Sequence, residues 1–236
     1  MNQSKAWKWA RRAVWATFLA VAAIGCNPLN LAGFIFARPD KVPAPHPLAF
    51  AKDGPKKDKE EIVVALLPQV APGSNSQFAT VPNELADKLA KQLPELAKEN
   101  KDKKKVKVLS QAQVDKFKMA NPTWKRMSPG EIGQKLGADF VLEIWLDKMR
   151  LYQPGSLNAV YEGRAEVQVS VYEIGTDGGE QKDKYTLPFS FPRTSVRSAE
   201  ALPESTFKSQ FIESLATEIA HMHVDHQPSA NIADGR

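Results

Sequence analysis

Apolar and polar positions fall into regular patterns only after about residue 61, and the period of the pattern changes several times before residue 225. Ile62-Val63-Val64-Ala65-Leu66-Leu67 is a continuous apolar run stopped by Pro68, as in a short strand buried on both faces. Leu85, Leu89, Leu93 and Leu96 then recur at helical spacing between charged positions, with Pro94 expected to kink or end that helix. Val106-Lys107-Val108-Leu109 predicts a second strand, and Ser110 with Gln113 forms a capping-box pattern for a helix through Val114 and Phe117. The strongest local signal follows. Ser128 is placed to cap a helix, Pro129 suits its first turn, Glu131 completes the box, Met127 is positioned to staple onto Ile132, and Gly137 ends it.

From Val141 to Asp147 the period becomes two, the mark of a strand. Val160 to Glu173 alternates for longer, with Tyr161, Val167, Val169 and Val171 on one face and Glu162, Arg164, Glu166 and Gln168 on the other. Gly175-Thr176-Asp177-Gly178-Gly179 reads as a turn and Tyr185 to Phe191 as another strand, while Phe207, Phe211, Leu215, Ile219 and Met222 mark a closing helix. The order is strand-helix-strand-helix-helix-strand-strand-strand-helix. That order predicts a single α/β domain over 62–225 with a mixed β-sheet, parallel early and antiparallel late, and helices mainly on one face.

The first 61 residues follow other rules. Lys5, Lys8, Arg11 and Arg12, with no acid among them, precede an apolar stretch from Ala13 to Ile24, and the run closes Ala23-Ile24-Gly25-Cys26. This is the layout of a secretory signal. Its last four residues resemble the lipobox of bacterial lipoproteins, although Ala23 stands where leucine is usual. The resemblance implies cleavage between Gly25 and Cys26 and a diacylated Cys26 as the first mature residue. Cys26 is the only cysteine, so an exported chain would carry no internal disulfide. The alternative is an uncleaved anchor from Ala13 to about Ala37, against which Asn27, Pro28 and Asn30 interrupt the apolar run. Residues 26–61, with Pro39, Pro43, Pro45, Pro47 and Pro55 and mixed charge from Lys52 to Glu61, read as a poorly packed tether, and 226–236 as a disordered tail.

Removing residues 1–25 changes the electrostatic picture. The formal charge of +5 loses those four cations, leaving about +1 on the mature chain. Nucleic acid is therefore not an expected partner.

The helix-to-strand passage Gly133-Gln134-Lys135-Leu136-Gly137-Ala138-Asp139-Phe140-Val141-Leu142, together with the opening strand and the long hairpin strands, resembles the envelope domain shared by the curli-secretion lipoprotein, the lipoprotein activators of penicillin-binding proteins and the amino-terminal domain of the Tol-system propeller protein. In that group a helix ending Leu-Gly-Ala-Asp runs directly into a strand. The resemblance implies a non-catalytic assembly or regulatory module of the cell envelope, lipid-anchored and facing the periplasm. Asn27 after the cysteine, where inner-membrane retention uses aspartate, favours the outer membrane.

Candidate chemistry is sparse. No histidine lies between Pro47 and Ala220, and no nucleophile-elbow, Walker or dinucleotide-binding glycine pattern occurs, so no cofactor and no enzymatic activity are expected. Three features stand out. Glu143, Trp145 and Asp147 share a strand face, with Glu162, Arg164 and Glu166 on the next strand. They form a glycan-hydrolase carboxylate set, an ordinary outward sheet face on which Arg164 and Lys148 pair with the acids across strands, or a binding face. His221, His223 and His226 are weak metal candidates, set against a frayed, solvated helix end. Lys98 to Lys107 holds six lysines against two acids, either a lipid-headgroup contact or a solvated loop. Expected partners are the membrane, through the lipid, and an envelope protein. An oligomeric secretion subunit is the competing reading.

Overall fold

The computed structural model describes residues 41–48, 60–70, 76–99, 105–193 and 197–227. The described strands are β1 (Glu61–Val70), β2 (Lys105–Val108), β3 (Phe140–Tyr152), β4 (Val160–Gly175), β5 (Gly178–Phe191) and β6 (Arg197–Ser198). The described α-helices are α1 (Val81–Lys98), α2 (Gln111–Ala120), α3 (Pro129–Leu136) and α4 (Glu204–His223). One sheet of order β2-β1-β3-β4-β5 joins the strands, and β6 pairs with β4. β1 runs parallel to β2 and β3, whereas β3, β4, β5 and β6 pair antiparallel. This is the single mixed α/β domain that the apolar pattern predicts.

The two long helices, α1 and α4, cover one face of the sheet. Leu85, Leu89 and Leu93 of α1 and Phe207, Phe211, Leu215 and Ile219 of α4 close over Val64, Leu66, Leu142, Ile144, Val167 and Val169, all buried. On the other face α2 lies over β1 and the short α3 lies over the ends of β3, β4 and β5 beside the β4–β5 turn, with Gly130 against Gly179 and Gln134 donating to the Gly175 carbonyl; there Val114 and Ile132 meet Ala65, Leu67, Val141 and Ile174. The remainder of that second face, on β3, β4 and β5, carries no helix among the described residues.

Local chemistry explains several boundaries. Both capping boxes form: the Ser110 hydroxyl accepts from the Gln113 backbone N–H and the Ser128 hydroxyl from that of Glu131, and each partner side chain returns to its cap. Gly137 adopts φ 68°, the left-handed conformation that ends α3 without a Cβ penalty. The next acid, Asp139, is buried. Its Oδ2 accepts from the Val63 N–H at 2.9 Å and its own N–H donates to the Val63 carbonyl at 2.7 Å, which ties the entry of β3 to β1.

Two prolines sit within elements they were expected to stop. Pro94 lies inside α1, which continues to Lys98 because Leu93 and Ala97 on either side of it are buried in the core. Pro68 lies inside β1. Val64 turns its carbonyl to Leu109 on the β2 side, so Pro68, four residues on, presents its N to that side after the β2 pairing has ended at Val64. No ladder hydrogen bond is lost there.

The stretch 26–61 does not behave uniformly as a tether. Residues 41–48 form a strap packed on the domain, with Leu48 buried in the main core. Val42 pairs antiparallel with His226, the His46 N–H donates to the Met222 carbonyl at 2.8 Å, and the Ala44 N–H donates to Asp225 Oδ1 at 3.0 Å. The pairing also draws His226 out of the expected tail. The rest of the tether and tail, and Gly25 and Cys26, lie outside the described residues.

Candidate functional site

The open part of the sheet face brings together the residues singled out on β3 and β4. Trp145 stands opposite Gln168, and Glu143 opposite Ser170. Beyond Leu146 the register shifts, making Asp147 the extra residue of a bulge and placing Lys148 opposite Glu166. Glu143, Trp145 and Asp147 therefore do not form one regular stripe, contrary to the two-residue period. Lys148 Nζ lies 3.3 Å from Glu166 and 3.6 Å from Asp147. The hydrogen bond to Glu166 raises the Lys148 pKa.

Arg164 does not pair across the strands with an acid. Its cross-strand neighbour is Arg150, and both guanidiniums bond to Glu162, Arg164 through Nε at 2.8 Å and Arg150 through Nη2 at 3.3 Å. The Arg164 bonds, foremost, and the Arg150 contact hold the Glu162 carboxyl below its usual range. Sequence reasoning missed Arg150, because β3 was expected to end near Asp147. A shift of one residue in the alternation after Leu146 was the available signal. Lys148, Arg150, Arg164 and Glu166, with Pro188 and Ser190 of β5, line an open groove of about 490 Å³.

The histidines occupy a different place. His223 is fully buried rather than frayed. Its Nδ1 lies 2.8 Å from the His46 carbonyl oxygen and must donate, so its Nε2 accepts the Tyr185 hydroxyl at 2.9 Å. His46 stacks on Tyr185 with centroids 4.2 Å apart, and its Nδ1 meets Asp183 at 2.5 Å. His221 stacks instead on His226 at 3.7 Å. Burial, first of all, lowers the pKa of both His221 and His223 to about 4, so neither is a cation at neutral pH. His221 and His226 stack on each other while His223 is engaged by Tyr185 and the His46 carbonyl, and among the described residues no cluster of three His, Cys, Asp or Glu is arranged to hold a metal ion. The cluster is a clasp for the strap. Replacing His46 by alanine is expected to cost about 1 kcal/mol through the lost stack and the lost hydrogen bond to Asp183. It should also speed trypsin cleavage after Lys41 in limited proteolysis, and an unchanged cleavage rate would contradict the clasp.

In the basic run, Lys98 pairs with Glu95 at 2.6 Å, and Lys105 aligns with Glu61 in the parallel ladder. Residues 100–104 lie outside the described residues. Among the described residues no helix is long and apolar enough to cross a membrane.

No protein-family model and no curated protein matches the chain. Solved structures similar to it include a hypothetical protein from Chlamydia trachomatis (17% identity, 68% of this chain and 96% of that one, TM-score 0.39). A PelC dodecamer from Paraburkholderia phytofirmans is also similar (13%, 80% and 99%, TM-score 0.38), as is a lipoprotein from Neisseria meningitidis (14%, 67% and 98%, TM-score 0.38).

Proposed function

We propose that this chain is a lipid-anchored cell-envelope protein whose domain acts as a non-catalytic binding module, gripping its target on the uncovered face of β3, β4 and β5. The observation that carries the reading is that helices cover β1 and the turn-proximal ends of β3, β4 and β5 on this face, leaving farther along those strands an open groove lined by charged side chains, with Trp145 on a neighbouring row. Glu162 and Glu166 are each held by cations, and Glu162 is kept ionised, which supports ion-paired recognition over the raised-pKa acid that glycan hydrolysis needs. The anchor rests on the Lys5-to-Cys26 pattern.

A photo-crosslinking residue at Lys148, on the open face, and one at Lys116, on α2, should give different results in whole cells. Discrete adducts are expected from position 148 and none from position 116. Cys26→Ser should remove the acyl mass and release the protein from the membrane fraction, weakening the adducts. Equal labelling from both positions would overturn the binding face. A Cys26→Ser protein that stays membrane-bound would overturn the anchor.

A further inference from the structure

One end of the groove on the open face, the Arg150/Arg164 pair, carries more positive charge than its one carboxylate balances, while Lys148 at the other end is matched by Glu166 and Asp147. Arg150 and Arg164 stand directly opposite one another on β3 and β4. Like charges at such positions are destabilising. A single carboxylate, Glu162, is shared between them. Arg150 Nε is buried and has no hydrogen-bond partner among the described residues. A buried orphan donor on a guanidinium is costly unless something comes to meet it. Lys148 adds a third cation, 75% exposed beside Glu166 and Asp147, and β5 contributes the neutral Pro188, Phe189 and Ser190 to the lining.

We infer that this groove is a binding site for an acidic glycan, whose carboxylates dock against the Arg150/Arg164 pair. Paired guanidinium forks match a carboxylate in plane and donor spacing, and an arriving anion relieves their mutual repulsion. The sugar part of the ligand is favoured by what lies on the neighbouring rows of the same face. There Trp145, Gln168 and Thr186 align across β3, β4 and β5, an aromatic surface flanked by an amide and a hydroxyl.

The inference rests on the open face being the binding surface, and the experiment separates the two. The full-length protein in detergent is titrated calorimetrically with tetragalacturonate, neutral cellotetraose, inorganic phosphate and anionic phosphatidylglycerol vesicles. Tetragalacturonate should bind, and cellotetraose should not. Raising the salt from 50 to 300 mM should weaken the complex several-fold. Arg150→Gln should reduce the affinity at least tenfold while leaving the thermal midpoint unchanged or raising it, since it removes a like-charge contact. Arg164→Gln serves as the second variant and should also lose affinity tenfold. Equal binding of the neutral sugar overturns the inference, as does undiminished binding in both variants. Binding of phosphate or vesicles with none of the uronate overturns it too. Crosslinks from position 148 to a protein, without uronate binding, would overturn the glycan and leave the binding face standing.

Discussion

Phe211→Ala is expected to lower the stability of the domain by about 3–5 kcal/mol, among the largest effects of any single truncation in this core. Phe211 is fully buried between α4 and the sheet, edge-on to Phe189 with centroids 5.5 Å apart. Beneath it lies Gly163 of β4, where a Cβ would come within 2.3 Å of Phe211 Cδ2. The ring thus rests on bare strand backbone. When the ring is removed, that wall of the cavity is a hydrogen-bonded strand and cannot move in to fill the space, which places the cost in the upper part of the usual range. Urea unfolding of the variant and the parent measures it. A loss below about 1.5 kcal/mol would mean that the helix settles onto the strand and that the contact is not tight. Gly163→Ala probes the same contact from the other side, and it should destabilise as well, since the ring has to shift.

The second large effect concerns acid. His223 has a folded pKa of about 4, below its ordinary value of 6.5, because burial penalises the charged imidazole. Between these values the unfolded chain binds the proton first. The stabilisation from neutral His223 is therefore complete above pH 6.5 and is lost progressively as pH falls toward 4. The full loss is on the order of 3 kcal/mol. Asp183, which His46 and the Lys184 N–H hold below its usual carboxylate range, adds a further loss at still lower pH. Unfolding midpoints in urea at pH 7.5, 6.5, 5.5 and 4.5 should fall steeply over the last three. His223→Gln keeps a donor and an acceptor but does not titrate, so its curve should be flatter over the same interval whatever its stability at neutral pH. Parallel curves for the two proteins would rule out His223 as the group responsible.

The parts of the fold written in short-range chemistry were legible in the sequence. Ser110 with Gln113, Ser128 with Glu131 and the left-handed Gly137 each act within a few residues, and β4 alternates cleanly because one of its faces is covered along most of its length. What escaped depends on distant partners. The bulge at Asp147 resets the alternation, so β3 seemed to stop before Arg150, and the cationic half of the binding face went with it. Most of the first half of β5, from Glu180 to Lys184, is exposed at the sheet edge and shows no two-residue period. The carboxylates and Trp145 were found from the pattern, but the arginine pair depends on register. His223 looked like a solvated terminus because the residues that bury it, His46 and Tyr185, are 177 and 38 positions away.

The strap also sets where force enters the molecule. Fourteen residues separate Cys26 from Lys41, against thirty-four between Cys26 and Glu61. A fully extended chain spans at most about 3.5 Å per residue, so with the strap seated the leash from Cys26 is limited to at most about 50 Å instead of about 120 Å. A pull along that leash reaches Val42, His46 and Leu48 before β1. It is borne by the end of α4 and the clasp on β5, and the parallel β1 pairings at the centre of the sheet are spared until the strap lets go.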